Sequence, residues 1–149
     1  MAILKKIFRY PIKGLSGESL NETLLEKDQV LSGEREYAFA RSHVSFDKKN
    51  PVYLRKTNFL ALVKEENLAK LSTEFNSKSN RLIIKIDKKT VLEEILINEI
   101  NINKVEVFFQ KYLNLGKNNK PKLVQGTKYE NDKNLKHSFS DLPEKAISI

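Results

Sequence analysis

Two short stretches of the chain carry residue types suited to holding an anion. The first is Arg9-Tyr10-Pro11-Ile12-Lys13-Gly14-Leu15-Ser16-Gly17. A lysine that leaves an apolar strand into a glycine-containing loop suits phosphate. Gly14 lets the backbone approach closely, exposed N–H groups can face the oxygens, and Lys13 adds a point charge. The same residues also fit a solvated lysine in an ordinary turn, and the GxxxxGK[ST] spacing of a Walker loop is absent. The second stretch is Ser32-Gly33-Glu34-Arg35-Glu36-Tyr37-Ala38-Phe39. Arg35 follows a glycine turn at the start of a strand, where its planar fork can grip a phosphate or a carboxylate through two parallel hydrogen bonds. The alternative is a salt bridge to Glu34, Glu36 or another acid.

Other chemistries find less support. The pairs Glu65–Glu66 and Glu93–Glu94 are sequence neighbours, which do not converge on one point in a helix or strand, so they read as solvated faces. His137, Ser138 and Ser140 offer a nucleophile and a base by type. In an extended segment they point different ways, with no third group to orient them. Phe108–Phe109 reads as core. The absence of cysteine excludes disulfides, cysteine–zinc sites and thiol catalysis within these residues. The two histidines, His43 and His137, are too few for a histidine-rich metal site.

The 149 residues suffice for one domain with a proper core, and the 40% apolar and 31% charged composition is that of an ordinary globular protein. No apolar run approaches the roughly 18 residues of a membrane span, and the start is too short in its apolar part for a signal peptide. A cytoplasmic protein with no membrane partner is expected. The net charge of +8 lies entirely beyond residue 40, because residues 1–40 balance. The basic residues are mostly lysines scattered among asparagine and isoleucine, without a recognised motif or an aromatic stacking platform. Weak nucleic-acid binding through the lysine-rich 117–136 region is therefore a minor alternative.

The elements that must position these residues are mainly strands. Residues 3–10, 19–25 and 35–41 read as strands separated by glycine turns, with Tyr37 and Phe39 on one face of the third and Ala38 and Ala40 on the other. Residues 42–57 read as a loop with a short strand at 52–54. Residues 58–75 place Leu60, Val63, Leu68, Leu71 and Phe75 at helical spacing, with Thr57 or Asn58 as cap, although 59–63 is also apolar enough for a strand. Residues 81–86 read as a strand, 87–89 as a turn, and 90–92 as a partner strand. Residues 102–114 read as a helix with Val105, Phe108, Phe109 and Tyr112 on one stripe, capped by Asn101 or Asn103 and ended by Gly116. A short strand at 123–124, a mobile loop at 125–136 and the start of a buried strand at 146–149 complete the chain. The expected class is α+β, a β-rich twisted sheet or partial barrel with two helices. Residues 1–125 form the β-rich unit, and 126–149 a loop and the beginning of a second domain.

Taken together, several stretches resemble MOSC-domain proteins. Residues 9–20 are similar to the opening of that family, a "YPVK" strand followed by a small residue. Gly33-Glu34-Arg35-Glu36-Tyr37-Ala38-Phe39 resembles its "GDRRYAL" element. Asn58-Phe59-Leu60-Ala61-Leu62 with Asn67-Leu68-Ala69-Lys70-Leu71 is similar to the segment that follows, and His137-Ser138-Phe139-Ser140-Asp141-Leu142-Pro143 resembles the beginning of the MOSC domain proper. The resemblance implies a barrel-like N-terminal portion that binds the phosphorylated pterin of the molybdenum cofactor. In the amidoxime-reducing relatives the corresponding lysine and arginine contact the pterin cofactor. This puts Lys13 and Arg35 at the cofactor, with Gly14 and Asp141 beside them. Full-length relatives act in sulfur transfer or in reduction at molybdenum, with a redox or sulfur-donor protein as partner.

Three departures accompany the resemblance. The reductases carry serine where this chain has Gly14. The small hydroxylated residues after their aspartate are replaced by Leu142 and Pro143. The family's molybdenum-binding or sulfur-carrying cysteine lies further along than Ile149, so the expectation is an N-terminal fragment that does not hold molybdenum through a thiolate and is inactive alone. The pyridoxal-phosphate domain of the sulfurases is also missing, so that cofactor is not expected. The competing reading is a non-catalytic β-barrel module that docks to another chain.

Overall fold

The computed structural model describes residues 3–126, 128–129 and 132–141. In chain order the described elements are β1 (Ile7–Arg9), β2 (Glu18–Leu20), β3 (Tyr37–Ala40), β4 (Ser72–Asn76), β5 (Arg81–Ile86), β6 (Lys89–Ile95), α1 (Glu99–Tyr112), β7 (Lys122–Gln125), β8 (Lys128–Tyr129) and β9 (Asp132–Lys136). Two short 3-10 turns, Lys56–Asn58 and Glu66–Lys70, lie between β3 and β4. The fold is mixed α+β. Its strands form separate antiparallel ladders, β1 with β2, β3 with β7, β4–β5–β6 as a meander, and β8 with β9. No closed barrel forms among the described residues.

Strand β3 is the centre of the molecule, because its two faces feed two cores. Tyr37 and Phe39 face a cluster with Ile12, Leu60, Leu82, Ile84, Val105 and Phe109. Ala38 and Ala40 face the other way, toward Val44, Phe59, Val124 and Phe139. All four β3 residues are buried, which explains the continuous apolar run where a half-exposed strand would alternate with polar residues. Phe39 and Phe109 meet with ring centroids 4.3 Å apart, and each fully buried side chain of this size contributes about 1.5–3 kcal/mol.

Helix α1 begins three residues earlier than its pattern predicts. Asn98, in extended backbone, caps it by accepting a 2.9 Å hydrogen bond from the Asn101 N–H, so the cap is neither Asn101 nor Asn103. Val105 and Phe109 are buried and Phe108 and Tyr112 pack beside them, as the predicted stripe requires.

The second expected helix, 58–75, does not form. Among the described residues there is one α-helix. The Leu60 N–H donates to the Phe39 carbonyl at 2.9 Å, and Phe59 bridges Ala40, so residues 59–60 extend the β3 ladder. A turn and the Glu66–Lys70 3-10 segment follow, and 72–76 pair with β5 in the register Phe75–Leu82. Leu60, Leu68, Leu71 and Phe75 are buried as predicted, but Val63 is exposed. Pairing with β3 and β5 supplies backbone hydrogen bonds to several residues that the local helical pattern had assigned to a helix.

Other boundaries also differ. The first two strands are shorter than expected, no strand forms at 52–54, and β6 runs on to Ile95. The 125–136 stretch, read as a mobile loop, contributes to β7 and contains the β8–β9 ladder. The strand expected at 146–149 lies outside the described residues. No helix among the described residues is long and apolar enough to cross a membrane.

Candidate anion site

Backbone pairing brings the two predicted anion-binding stretches side by side. The chain leaving β1 runs parallel to the chain entering β3. The Arg35 N–H donates to the Tyr10 carbonyl at 2.6 Å, the Tyr37 N–H to the Pro11 carbonyl at 3.1 Å, and the Lys13 N–H to the Tyr37 carbonyl at 2.9 Å. On the far side of this edge the Phe139 N–H donates to the Arg35 carbonyl at 2.9 Å. Residues 10–13, 34–37 and 137–141 therefore meet at one corner.

At that corner Lys13 and Arg35 share one carboxylate. The Lys13 ammonium donates to Asp141 Oδ1 at 2.5 Å and to the Phe139 carbonyl at 3.0 Å. The Arg35 guanidinium stands 3.5 Å from Asp141 Oδ2 and 3.6 Å from Glu34 Oε1, distances of ion pairing. Depth differs sharply along this chain of charges. The Lys13 side chain is 4% exposed, Arg35 30% and Asp141 53%, so the ammonium forms the floor and the carboxylate the mouth. The Phe59 ring lies under the Lys13 ammonium at 5.7 Å, and the Tyr10 ring lies 6.0 Å from the Arg35 guanidinium.

The electrostatics follow from this layering. Burial pushes the Lys13 ammonium down, as do the charges of Arg35 and Lys56, and the hydrogen bond and charge of Asp141 only partly restore it. Its net shift is below the ordinary lysine value. For Asp141, burial is the largest single influence and pushes the carboxyl up. The hydrogen bond and charge of Lys13, with Arg35 and Lys56, outweigh it, and the net shift is downward.

Two backbone features shape the corner. Arg35 sits at φ 45°, in the left-handed region that side chains with a Cβ rarely occupy, held there by hydrogen bonds on its N–H and carbonyl. Gly14 sits at φ 82°, and a Cβ there would stand 2.7 Å from the Leu60 carbonyl oxygen. Gly14 is thus required by its turn and by the close passage of residues 60–61.

The structure therefore gathers Lys13, Arg35 and Asp141 at one point and places Gly14 in the adjoining turn. Tyr53, whose hydroxyl donates to the Asp141 carbonyl at 3.0 Å, and Phe59 also belong to the corner. Sequence reading missed them because their contacts cross more than 40 residues with no local signal. The other candidates are accounted for elsewhere. Glu65 is no solvated residue: it pairs with Arg41 at 2.6 Å and accepts the Ala61 N–H. Glu93 pairs with Arg81 and Glu94 with Lys104. The Ser138 hydroxyl donates to the Glu34 carbonyl, and the His137 ring packs on Phe46 and Phe139. A surface cavity of about 540 Å³ opens beside Glu26, Glu34 and Glu36, and Lys13, Arg35 and Asp141 do not line it. Its three carboxylates outnumber the single lysine of its lining, Lys27, which disfavours phosphate. No group of three or more metal-ligating side chains occurs among the described residues.

Comparison with protein-family models, with curated proteins and with solved structures finds no match to this chain.

Proposed function

We propose that this chain binds the phosphate end of a phosphorylated ligand at Lys13 and Arg35, and that it is a cytoplasmic, MOSC-type molybdenum-cofactor-binding protein. The observation that carries the reading is the shared carboxylate: the two cations, 22 residues apart in sequence, reach the two oxygens of a single anion. A phosphate, like the Asp141 carboxylate, presents two or more oxygen acceptors, and the placement of the two cations on one such group supports this reading. The open ladders around β3 correspond in this reading to the partial barrel of the family's N-terminal portion.

The roles of the residues follow from their placement. Lys13 supplies a fixed, desolvated charge at the floor. Arg35, aimed by its left-handed backbone, supplies a directional fork at the wall. Gly14 lets the loop pass against residues 60–61. The bound pterin cofactor would bring molybdenum-centred redox or sulfur-transfer chemistry, and these residues would hold and orient its phosphate.

The test is retention of pterin. The chain is incubated with cofactor released from a molybdoenzyme, separated by gel filtration, and assayed for pterin fluorescence. Binding that falls about tenfold or more in Lys13→Ala and Arg35→Ala chains supports the reading. Binding that is absent in the parent chain, or equal in the variants, contradicts it. A second reading, a non-catalytic module that docks to another chain, is favoured by the exposure of Ile3, Leu4, Phe8, Leu24 and Leu25 around the β1–β2 ladder. It predicts pterin-independent function and loss of docking on Phe8→Ser.

A further inference from the structure

Asp141 and its neighbours are held with very different strengths. Phe139 is 3% exposed, its ring stands 5.4 Å from Phe59 and 5.2 Å from Phe46, and its N–H is bonded to Arg35. Two residues on, Asp141 is more than half exposed, and its side chain is held by Lys13 and Arg35 alone among the contacts described. Among the described residues, the Tyr53 hydroxyl also fastens it, donating to its carbonyl. Burial of a phenylalanine greatly outweighs an ion pair whose acid is half solvated. The 137–139 segment can therefore stay seated while Asp141 swings out.

The charged groups acting on Asp141 are Lys13 from the first loop, Arg35 from the turn before β3, and Lys56 from the Lys56–Asn58 turn, with Glu34, less exposed than Arg35, paired to the Arg35 guanidinium. Two cations contact the carboxylate, and Lys56 acts on it from beyond ion-pair distance. When Asp141 leaves, the corner keeps a strong positive charge with a desolvated ammonium at its base, which favours an incoming anion.

We infer that Asp141 is a tethered competitor for the anion site: its carboxylate occupies the oxygen positions between Lys13 and Arg35, and a phosphate-bearing ligand binds by displacing it. This rests on the function proposed above and adds its regulation. The intramolecular carboxylate sets a threshold, so that a doubly charged phosphate group enters while weaker monoanions such as acetate are held off. The apparent affinity is the intrinsic affinity reduced by the fraction of molecules with Asp141 displaced.

The experiment titrates inorganic phosphate into the parent chain and an Asp141→Asn chain, followed by NMR shifts of the Lys13 and Arg35 side-chain groups. Asparagine keeps the size and one acceptor for Lys13 but removes the charge. The expected result is about tenfold tighter phosphate binding by Asp141→Asn, and in the parent chain a movement of the Asp141 carboxyl carbon signal toward that of a free aspartate on saturation. Equal affinity in the two chains, with binding at Lys13 and Arg35 intact, overturns the competitor role and leaves the anion site standing. Binding in neither chain overturns the anion site itself. Should Asp141→Asn fail to fold, Tyr53→Phe replaces it: this removes the other fastening of Asp141 without touching the site charges. Tighter phosphate binding then supports the inference, and unchanged binding opposes it.

Discussion

Arg35 shows how a residue can be costly to stability and still required by a site. Its left-handed backbone costs about 1–2 kcal/mol relative to a residue without Cβ. Arg35→Gly is therefore predicted to be more stable than Arg35→Ala by about 1 kcal/mol in urea unfolding, while both lose phosphate binding. If the glycine variant were the less stable, the backbone would not be strained. The pH dependence follows from the shifts at Lys13, Asp141 and Tyr37. The native Asp141 carboxyl lies below its ordinary value of 3.8, so the unfolded chain holds more protons in the acid range. Its stabilisation is present above pH 3.8 and lost as pH falls through the lowered native value, and Asp141→Asn should flatten that acid limb. Tyr37, raised by burial and then by the charge of Glu36 to about 12, works at the other end. Its native form keeps its proton longer than the unfolded form, so its contribution is complete below pH 10 and lost as pH rises to about 12. Lys13, lowered beneath 10.5, acts oppositely, adding stability as pH climbs from its native value toward 10.5. Urea unfolding of Tyr37→Phe between pH 9 and 12 separates the two: the decline above pH 10 should shrink. At this scale the sequence was informative where glycine marked a turn, since Gly14 and Gly33 flagged Lys13 and Arg35. It was silent on Tyr53 and Phe59, which no spacing connects to either.

At the scale of elements, the site depends on a loop pressed against another backbone. Gly14→Ala and Gly14→Ser both place a Cβ against the Leu60 carbonyl at positive φ, and each should cost about 2 kcal/mol or more in urea unfolding. A neutral result would mean that residues 60–61 give way. Helix α1 offers an independent check far from the site: Asn98→Ala removes the cap on Asn101 and should cost about 1 kcal/mol without altering anion binding. The elements most legible in the sequence were those whose local pattern and tertiary role agree. Residues 81–86 form β5 with the predicted bounds, and α1 presents the predicted stripe. Residues 58–75 were misread because their apolar spacing served burial from three different backbone conformations. The side chains of Leu60, Leu68 and Phe75 reach the same core from a strand-like bridge, a 3-10 turn and β4. Periodicity reports which residues are buried, but here it did not report the backbone that buries them.

At the scale of the molecule, one strand with two buried faces couples the site to both cores. Phe139 fills the second core and also sets the Phe139 carbonyl and Asp141 over Lys13. Phe139→Ala should cost about 3–5 kcal/mol in stability. Where the fold survives, it should also free the corner from Asp141 and tighten phosphate binding. Because Lys13 and Arg35 hold the anion by charge, phosphate affinity should fall with added salt. The decisive measurement is a single phosphate titration of the Asp141→Asn chain, with the Lys13 ammonium and the Arg35 guanidinium observed together by NMR. Both signals are expected to move along one saturation curve with one midpoint, because the two cations hold the same anion. Two curves with separate midpoints, or movement of one group while the other stays still, would mean that they form no common site.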